Sequence, residues 1–335
     1  MYRPAVHFLI GGDQKMTFNE FVEYVKNNIK TYLPEAFSND EPEVRTMNKL
    51  NTSYTGLTLK PAGRGNIAVA VVDLDLFYKQ LDNGLPLEDA MNSMAKAILS
   101  PSLDINMGVF SDYETAKEKL FIRVGNAEAS QGLLEDCPHR LLGDMSVTYH
   151  LLIDGNAEGF GSTTITNELL GKYGVTEEQL YEDALQNGQR LFPPTISCMD
   201  DAFMLSILTG EPRSNKAFDE SLPEISFDKA PMLVLSNQQS AFGASVILYP
   251  DVLDKIAEQT GEEFYILPSS VHEVLLLKKD DTVSPVQLQE IVESINSTEV
   301  EPKDVLSNSV YFYDALIREI EMVDPELELE EEFEL

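Results

Sequence analysis

One pattern occurs twice in the chain. Phe160-Gly161-Ser162-Thr163-Thr164-Ile165 resembles Phe242-Gly243-Ala244-Ser245-Val246-Ile247. Each follows an apolar strand, Val147 to Ile153 or Met232 to Leu235, and each precedes a helix start, Asn167-Glu168-Leu169-Leu170 or Pro250-Asp251-Val252-Leu253. Thr176-Glu177-Glu178-Gln179-Leu180 and Ser284-Pro285-Val286-Gln287-Leu288 then open amphipathic helices, their hydroxyls accepting from the otherwise free N–H groups of a first turn. The order strand, turn, strand, helix, helix thus appears twice, and the second copy inserts two more strands, Phe264 to Leu267 and His272 to Leu277. A duplication of this kind predicts an α+β fold of mixed or antiparallel sheets with helices packed on them. It points to a scaffold of stacked copies, not to a reaction.

Ahead of the copies the signals are those of an α/β part. Thr17-Phe18-Asn19-Glu20 is a capping box, Phe18, Phe21, Val22, Val25, Ile29 and Leu33 share one helical face, and Pro34 ends it. Tyr54 to Lys60 and Ile67 to Asp73 read as a hairpin around Pro61-Ala62-Gly63-Arg64-Gly65, followed by helices over 74–81 and 87–99. The expected division is a leader over 1–15, upstream of the native start, and an N-terminal α/β domain over 16–135. The first unit follows over 136–213, then a linker over 214–230 marked by Pro223, and the second unit over 231–318. A tail over 319–335 carries nine acidic residues and no basic one. Repulsion between neighbouring carboxylates predicts disorder there. The strand-like alternation of Glu326-Leu327-Glu328-Leu329-Glu330 offers the alternative of a peptide that adds to a partner's sheet edge.

Charge narrows the function. Asp and Glu number 57 against 24 Lys and Arg, a net charge of −33. Affinity for a phosphate backbone comes from Lys and Arg releasing counterions, so direct nucleic-acid binding is not expected, nor is docking on an anionic membrane. The longest apolar run, Ile67 to Val72, is far too short to span a bilayer, and Val6 to Ile10 is too short for a secretory signal. A soluble cytoplasmic protein is expected. Cys137 and Cys198 are the only cysteines, with no partner at metal-ligand spacing, so two reduced thiols are expected rather than a disulfide framework or a zinc site.

The motifs of common cofactor and hydrolytic sites are missing: no P-loop, G-x-G-x-x-G, G-x-S-x-G, H-E-x-x-H, EF-hand loop or paired C-x-x-C occurs, and no cofactor is expected. Pro268-Ser269-Ser270-Val271-His272-Glu273 holds the group types of nucleophilic catalysis. In an extended segment, however, Ser270 and His272 share one face and Glu273 lies on the other, so His272 reads as a structural histidine. Cys137 beside His139 and Arg140 suggests an activated thiol, but Pro138 fixes a turn that separates the side chains. Asp73 and Asp75, with Asp82 and Glu88 nearby, are the candidate metal ligands if they converge, and the plainer reading is that Asp73 and Asp75 end a strand and open a helix. His7 and His150 have no nearby ligand types.

Asn167-Glu168-Leu169-Leu170 with the Thr176 cap, then Leu191-Phe192-Pro193-Pro194, Leu248-Tyr249-Pro250-Asp251-Val252-Leu253 and the run Phe264 to Val274 together resemble a bacterial domain-of-unknown-function family, number 5688, over roughly Thr17 to Asp314. The block Leu248 to Asp251 and the block Pro268 to Glu273 are also similar to a second uncharacterised bacterial family. The resemblance implies a bacterial cytosolic protein and carries over no catalytic residue. The expectation is a non-enzymatic intracellular binding or regulatory protein that presents an acidic surface to a basic protein partner. The alternative is a hydrolase using Ser270 and His272, with a pocket and an acid behind the imidazole. A narrower variant is an inhibitor that mimics nucleic acid.

Overall fold

The computed structural model describes residues 16–62, 70–99, 107–156, 159–199, 216–217, 225–228, 230, 232–261, 263–268, 270–279 and 283–324. The chain forms two compact units, Met1–Met47 with Ser53–Asp104, and Asn48–Thr52 with Ile105–Leu335. The division falls near residue 104 rather than 135, because the strand that follows pairs along its whole length with the second unit.

In the first unit, α1 (Phe18–Asn28) starts where the capping box places it: Thr17 Oγ1 accepts the Glu20 N–H, and the Glu20 carboxylate accepts the Thr17 N–H at 2.8 Å. Strands β1 (Glu41–Lys49), β2 (Thr52–Lys60) and β3 (Val72–Asp73) follow in that spatial order, β2 and β3 pairing antiparallel with Leu57 opposite Val72. Helices α2 (Leu74–Asp82) and α3 (Leu87–Leu99) complete the unit, and Phe21, Val25, Leu57, Met91 and Met94 share its core.

The second unit begins with α4 (Tyr113–Lys117), β4 (Leu120–Asn126), α5 (Gln131–Leu134), β5 (His139–Leu142), β6 (Met145–Asn156) and β7 (Gly159–Thr164). The long β6 has β4 on one edge, with β5 and β7 end to end along the other. Period two sends Val147, Tyr149 and Leu151 to one face, where with Ile122, Val124, Leu180 and Ala184 they join the main core. Leu180 and Ala184 belong to α7 (Glu177–Leu191), capped by Thr176, which follows α6 (Asn167–Tyr173), capped by Thr166.

A second sheet holds β8 (Pro194–Cys198), β9 (Lys216–Ala217), β10 (Met232–Asn237), β11 (Phe264–Leu267), β12 (Val274–Lys278), β13 (Tyr311–Asp314) and β14 (Glu319–Met322), in the order β14-β13-β11-β12-β10-β8-β9. Every described pairing in it is antiparallel. Both faces are covered. Phe264, Ile266, Val274 and Leu276 enter the main core with residues of α8 (Val252–Thr260), while Tyr265, Leu267, Leu275 and Leu277 meet Leu288 and Val292 of α9 (Pro285–Thr298). The apolar run Val274 to Leu277 therefore has Val274 and Leu276 buried on one face and Leu275 and Leu277 half-buried on the other.

Helix α9 begins at a capping box in which Ser284 Oγ accepts the Gln287 N–H, with Pro285 in its first turn. We expect Ser284→Ala to cost about 1 kcal/mol in urea unfolding and Ser284→Asp to restore most of it. An unchanged midpoint for the alanine variant would show that the cap contributes nothing.

Three expectations are corrected. The two Phe-Gly segments take different structures: Phe160 to Thr164 lies in β7, but Gly243–Leu248 is a 3-10 helix, so the order of elements is not repeated. The cause is non-local. The Asn237 side chain accepts from the N–H groups of Gln239 and Ala241 and donates to the Ala241 carbonyl, while Ser240 and Phe242 have positive φ, curling the chain back on β10. A Cβ at Gly243 would lie 2.5 Å from the His272 carbonyl oxygen, so only glycine fits there. The linker is not loose at its described positions, since Ile225, Phe227 and Ala230 are buried and β9 pairs with β8; Pro223 lies outside the described residues. The tail starts later than expected, because β14 pairs with β13 and its Ile320 packs on the main core. The leader 1–15 and the alternation over 326–330 lie outside the described residues.

Candidate functional site

The residues singled out by sequence are held in structural roles. Asp73 caps α2 by accepting the Leu76 N–H, and Asp75 accepts the Thr55 N–H. Among the described residues no group of three or more His, Cys, Asp and Glu is placed to hold a metal. Cys137 is buried, and burial pushes its thiol up to about 11, with Asp136 adding to the rise, so the nucleophilic thiolate is disfavoured at neutral pH. His139 meets it through the main chain, its Nδ1 lying 3.0 Å from the Cys137 carbonyl oxygen. Arg140 turns away to hold Glu177 with two N–H groups, at 2.8 and 3.0 Å, and also reaches Glu178. Tyr149 donates to the same Glu177, tying α7 to the sheet.

Ser270 and His272 do come together, but through the backbone: Ser270 Oγ accepts the His272 N–H at 3.1 Å. The imidazole is held from both sides. Its Nδ1 accepts the Phe242 N–H at 3.2 Å, and its Nε2 lies 3.3 Å from Asp304 Oδ1, an arrangement that fits the neutral tautomer with its proton on Nε2. The acid behind the imidazole is therefore present. The ring nitrogens face Phe242 and Asp304.

Sequence reading missed a buried polar face. On β6 the residues between the core positions, Ser146, Thr148 and His150, are all buried, and β4 adds Arg123 beside them. Arg123 donates to Ser162 Oγ at 2.7 Å and lies over the Phe242 ring at 3.7 Å, and burial draws its guanidinium down to about 10. His150 Nε2 lies 2.9 Å from Thr148 Oγ1. The polar-apolar alternation of Ser146 to Leu151 was the available signal.

A cavity of about 550 Å³ lies where three distant segments meet: Leu142 at the end of β5, residues 247–254 leading into α8, and the β13–β14 hairpin. Its apolar wall is Leu142, Ile247, Leu248, Leu253 and Ile320. Its polar groups are Asp251, Asp254, Tyr313, Arg318 and Glu319, three carboxylates to one cation. Each is placed by a local device. Asp251 has positive φ at the start of α8, and one turn on, Asp254 accepts from Tyr313 of β13. Burial, then the hydrogen bond to Asp254, raises the Tyr313 phenol above its usual range, keeping it a neutral donor. In the hairpin turn, Asp314 Oδ1 accepts the N–H groups of Leu316, at 2.7 Å, and Ile317, at 3.2 Å. That turn leaves Leu316 91% and Ile317 56% exposed and puts Arg318 at φ 59°, its Nε 3.5 Å from Asp254 Oδ1. Such a chamber accepts an apolar stem ending in a cation, whereas a carboxylate or phosphate would face three like charges.

A family model described as a family of unknown function, DUF5688, matches residues 18–315 of the chain. No curated protein matches, and no solved structure matches.

Proposed function

We propose, for a chain that belongs to the DUF5688 family, a non-enzymatic binding protein of the cell interior that captures a basic protein partner on its acidic surface. The observation that carries this reading is the cavity with three carboxylates and one cation, on a chain of net charge −33. The chain's own cations add to the argument. Arg140, Lys172, Arg190 and Lys303 each sit on a neighbouring carboxylate, so the acidic excess is left for a partner to neutralise. A field of that size accelerates encounter with a basic surface and is screened by salt. Thiols at both Cys137 and Cys198 suit a reducing compartment.

The test is fluorescence anisotropy of a labelled amphipathic peptide with a Lys/Arg face, beside an analogue with Gln in its place. The expected result is binding of the cationic peptide alone, weakening roughly tenfold or more between about 0.05 and 0.3 M salt. No binding at low salt, or equal binding of the analogue, overturns the reading.

One observation, the Asp304 carboxylate behind His272, favours the hydrolase as a second reading. It requires ester or amide turnover that Ser270→Ala abolishes. On the binding reading, that variant and the parent are equally inert.

A further inference from the structure

We infer that the cavity is the seat of one basic side chain of the partner, and that Arg318 occupies this seat from within the chain until the partner's cation displaces it. The inference rests on the binding reading above and names its anchor point.

Four observations lead there. The cavity supplies what an arginine or lysine side chain needs along its length: the apolar surfaces of Ile247, Leu248 and Leu253 for the methylene stem, and the carboxylates of Asp251, Asp254 and Glu319 for the head. The receiving carboxylate is already oriented. Asp254 keeps only 19% of its side chain exposed and accepts the Tyr313 hydroxyl, so it need not reorganise when a cation arrives. The present occupant is loosely held: Arg318 is 64% exposed and reaches Asp254 through Nε at 3.5 Å, not through a forked pair of short bonds like those Arg140 makes to Glu177. Finally, Leu316 and Ile317, the two residues before Arg318 in the hairpin turn, are exposed apolar side chains, and Met322 of β14 is 48% exposed. A basic anchor flanked by apolar contacts is how an amphipathic segment docks.

A partner's guanidinium or ammonium entering the seat exchanges one ion pair for another and releases Arg318 to solvent. No covalent step is involved. The seat is thus autoinhibited to the small extent that an exposed ion pair allows, and removing Arg318 strengthens binding even though the partner loses nothing.

The experiment uses the full chain, the labelled cationic peptide and n-butylguanidinium as a competitor, with pentanoate as the anionic control. Arg318→Gly tolerates the positive φ and empties the seat. Lys172→Gln removes the same charge at a site outside the cavity. We expect Arg318→Gly to tighten peptide binding about two- to fivefold and Lys172→Gln to leave it within about 1.5-fold. Asp251→Asn with Glu319→Gln, both exposed positions, should weaken binding about tenfold. Glu88→Gln with Asp89→Asn, an equal charge change on α3, should weaken it less than twofold. Butylguanidinium should compete, and pentanoate should not. If Arg318→Gly weakens binding or matches Lys172→Gln, or if the two carboxylate pairs lose equally, the seat is disproved while acidic capture stands. If the parent chain fails to bind the peptide at low salt, the reading beneath the inference falls and the inference with it.

Discussion

Phe264→Ala is expected to lower the stability of the second unit by about 3–5 kcal/mol, the largest loss we anticipate from any single truncation of this chain. Phe264 is fully buried at the centre of the second sheet, its ring stacked on Tyr313 at 5.6 Å and 6.2 Å from Phe227. Its strand neighbours are Lys278 and Tyr313, and its face joins Ile266, Val274 and Leu276 in the core. Truncation removes the ring's transfer free energy and leaves a void that β11 and the two strands paired with it cannot close, since their registers are fixed by hydrogen bonds. For a unit of this size the loss corresponds to a fall in Tm of roughly 6–20 °C. Leu316→Ala, at a position 91% exposed, is the matched control and should stay within about 0.5 kcal/mol of the parent. The truncation also bears on the cavity, because Tyr313 both stacks on Phe264 and orients Asp254. Even where the variant folds at low temperature, peptide binding should weaken with it. A change below about 1 kcal/mol would mean that the second sheet is far less tightly packed than its burial implies.

How much of this was legible follows the distance over which each residue's environment is set. Thr17, Thr176 and Ser284 announced their helices correctly because a cap is a contact over three residues, complete within the sequence window. Val274 to Leu277 reads as a strand packed on both faces because a continuous apolar run leaves it no polar face, and Leu275 and Leu277 are indeed half-buried against Leu288 and Val292. Strand β1 was not foreseen: its Glu41-Pro42-Glu43-Val44-Arg45 opening lacks the apolar alternation that marks a half-buried strand. The Phe242 segment misled for a different reason. Its residues match those of a true strand, and what coils them is the Asn237 side chain and the His272 carbonyl, contacts that local pattern does not carry. Ile225 and Phe227 were visible as apolar residues, but Pro223 and the surrounding charge gave the segment a linker's composition. The cavity was the least legible feature, because Leu142, residues 247–254 and the β13–β14 hairpin are far apart in sequence and each alone reads as an ordinary turn or cap. Arg123 and His150 lay between these extremes: the apolar face of the strand over Val147 to Ile153 was recognised and its other face passed over, while the strand that carries Arg123 was not foreseen.

That other face yields the second large effect, a dependence of stability on pH carried by His150. The side chain is 3% exposed, with its Nε2 on the Thr148 hydroxyl and its ring 5.7 Å from that of Phe121. Burial first, and then the nearby Arg123 charge, holds its pKa well below the usual 6.5. The folded chain therefore keeps His150 neutral, while the unfolded chain takes up a proton near pH 6.5. Below that pH the unfolded state binds one proton more than the folded state, so stability falls as pH falls. Above it the two states bind equally and nothing is lost. The slope is about 1.4 kcal/mol per pH unit, and the cost accumulates from pH 6.5 down to the depressed folded pKa, below which nothing more is lost. His150→Gln can still pair with Thr148 and does not titrate, so the difference in unfolding free energy between it and the parent should shift with that slope across the window. The carboxylates, whose own acid dependence is large in a chain with 57 of them, are common to both proteins and cancel in the difference. Parallel stability curves would mean that the folded chain accepts a proton at His150, which burial beside a guanidinium does not permit. The effect also separates two sources of acid sensitivity. Loss of cation capture on acidification appears in the binding assay, whereas the share of fold stability lost through His150 appears in unfolding curves with no peptide present, as the difference between the parent and His150→Gln.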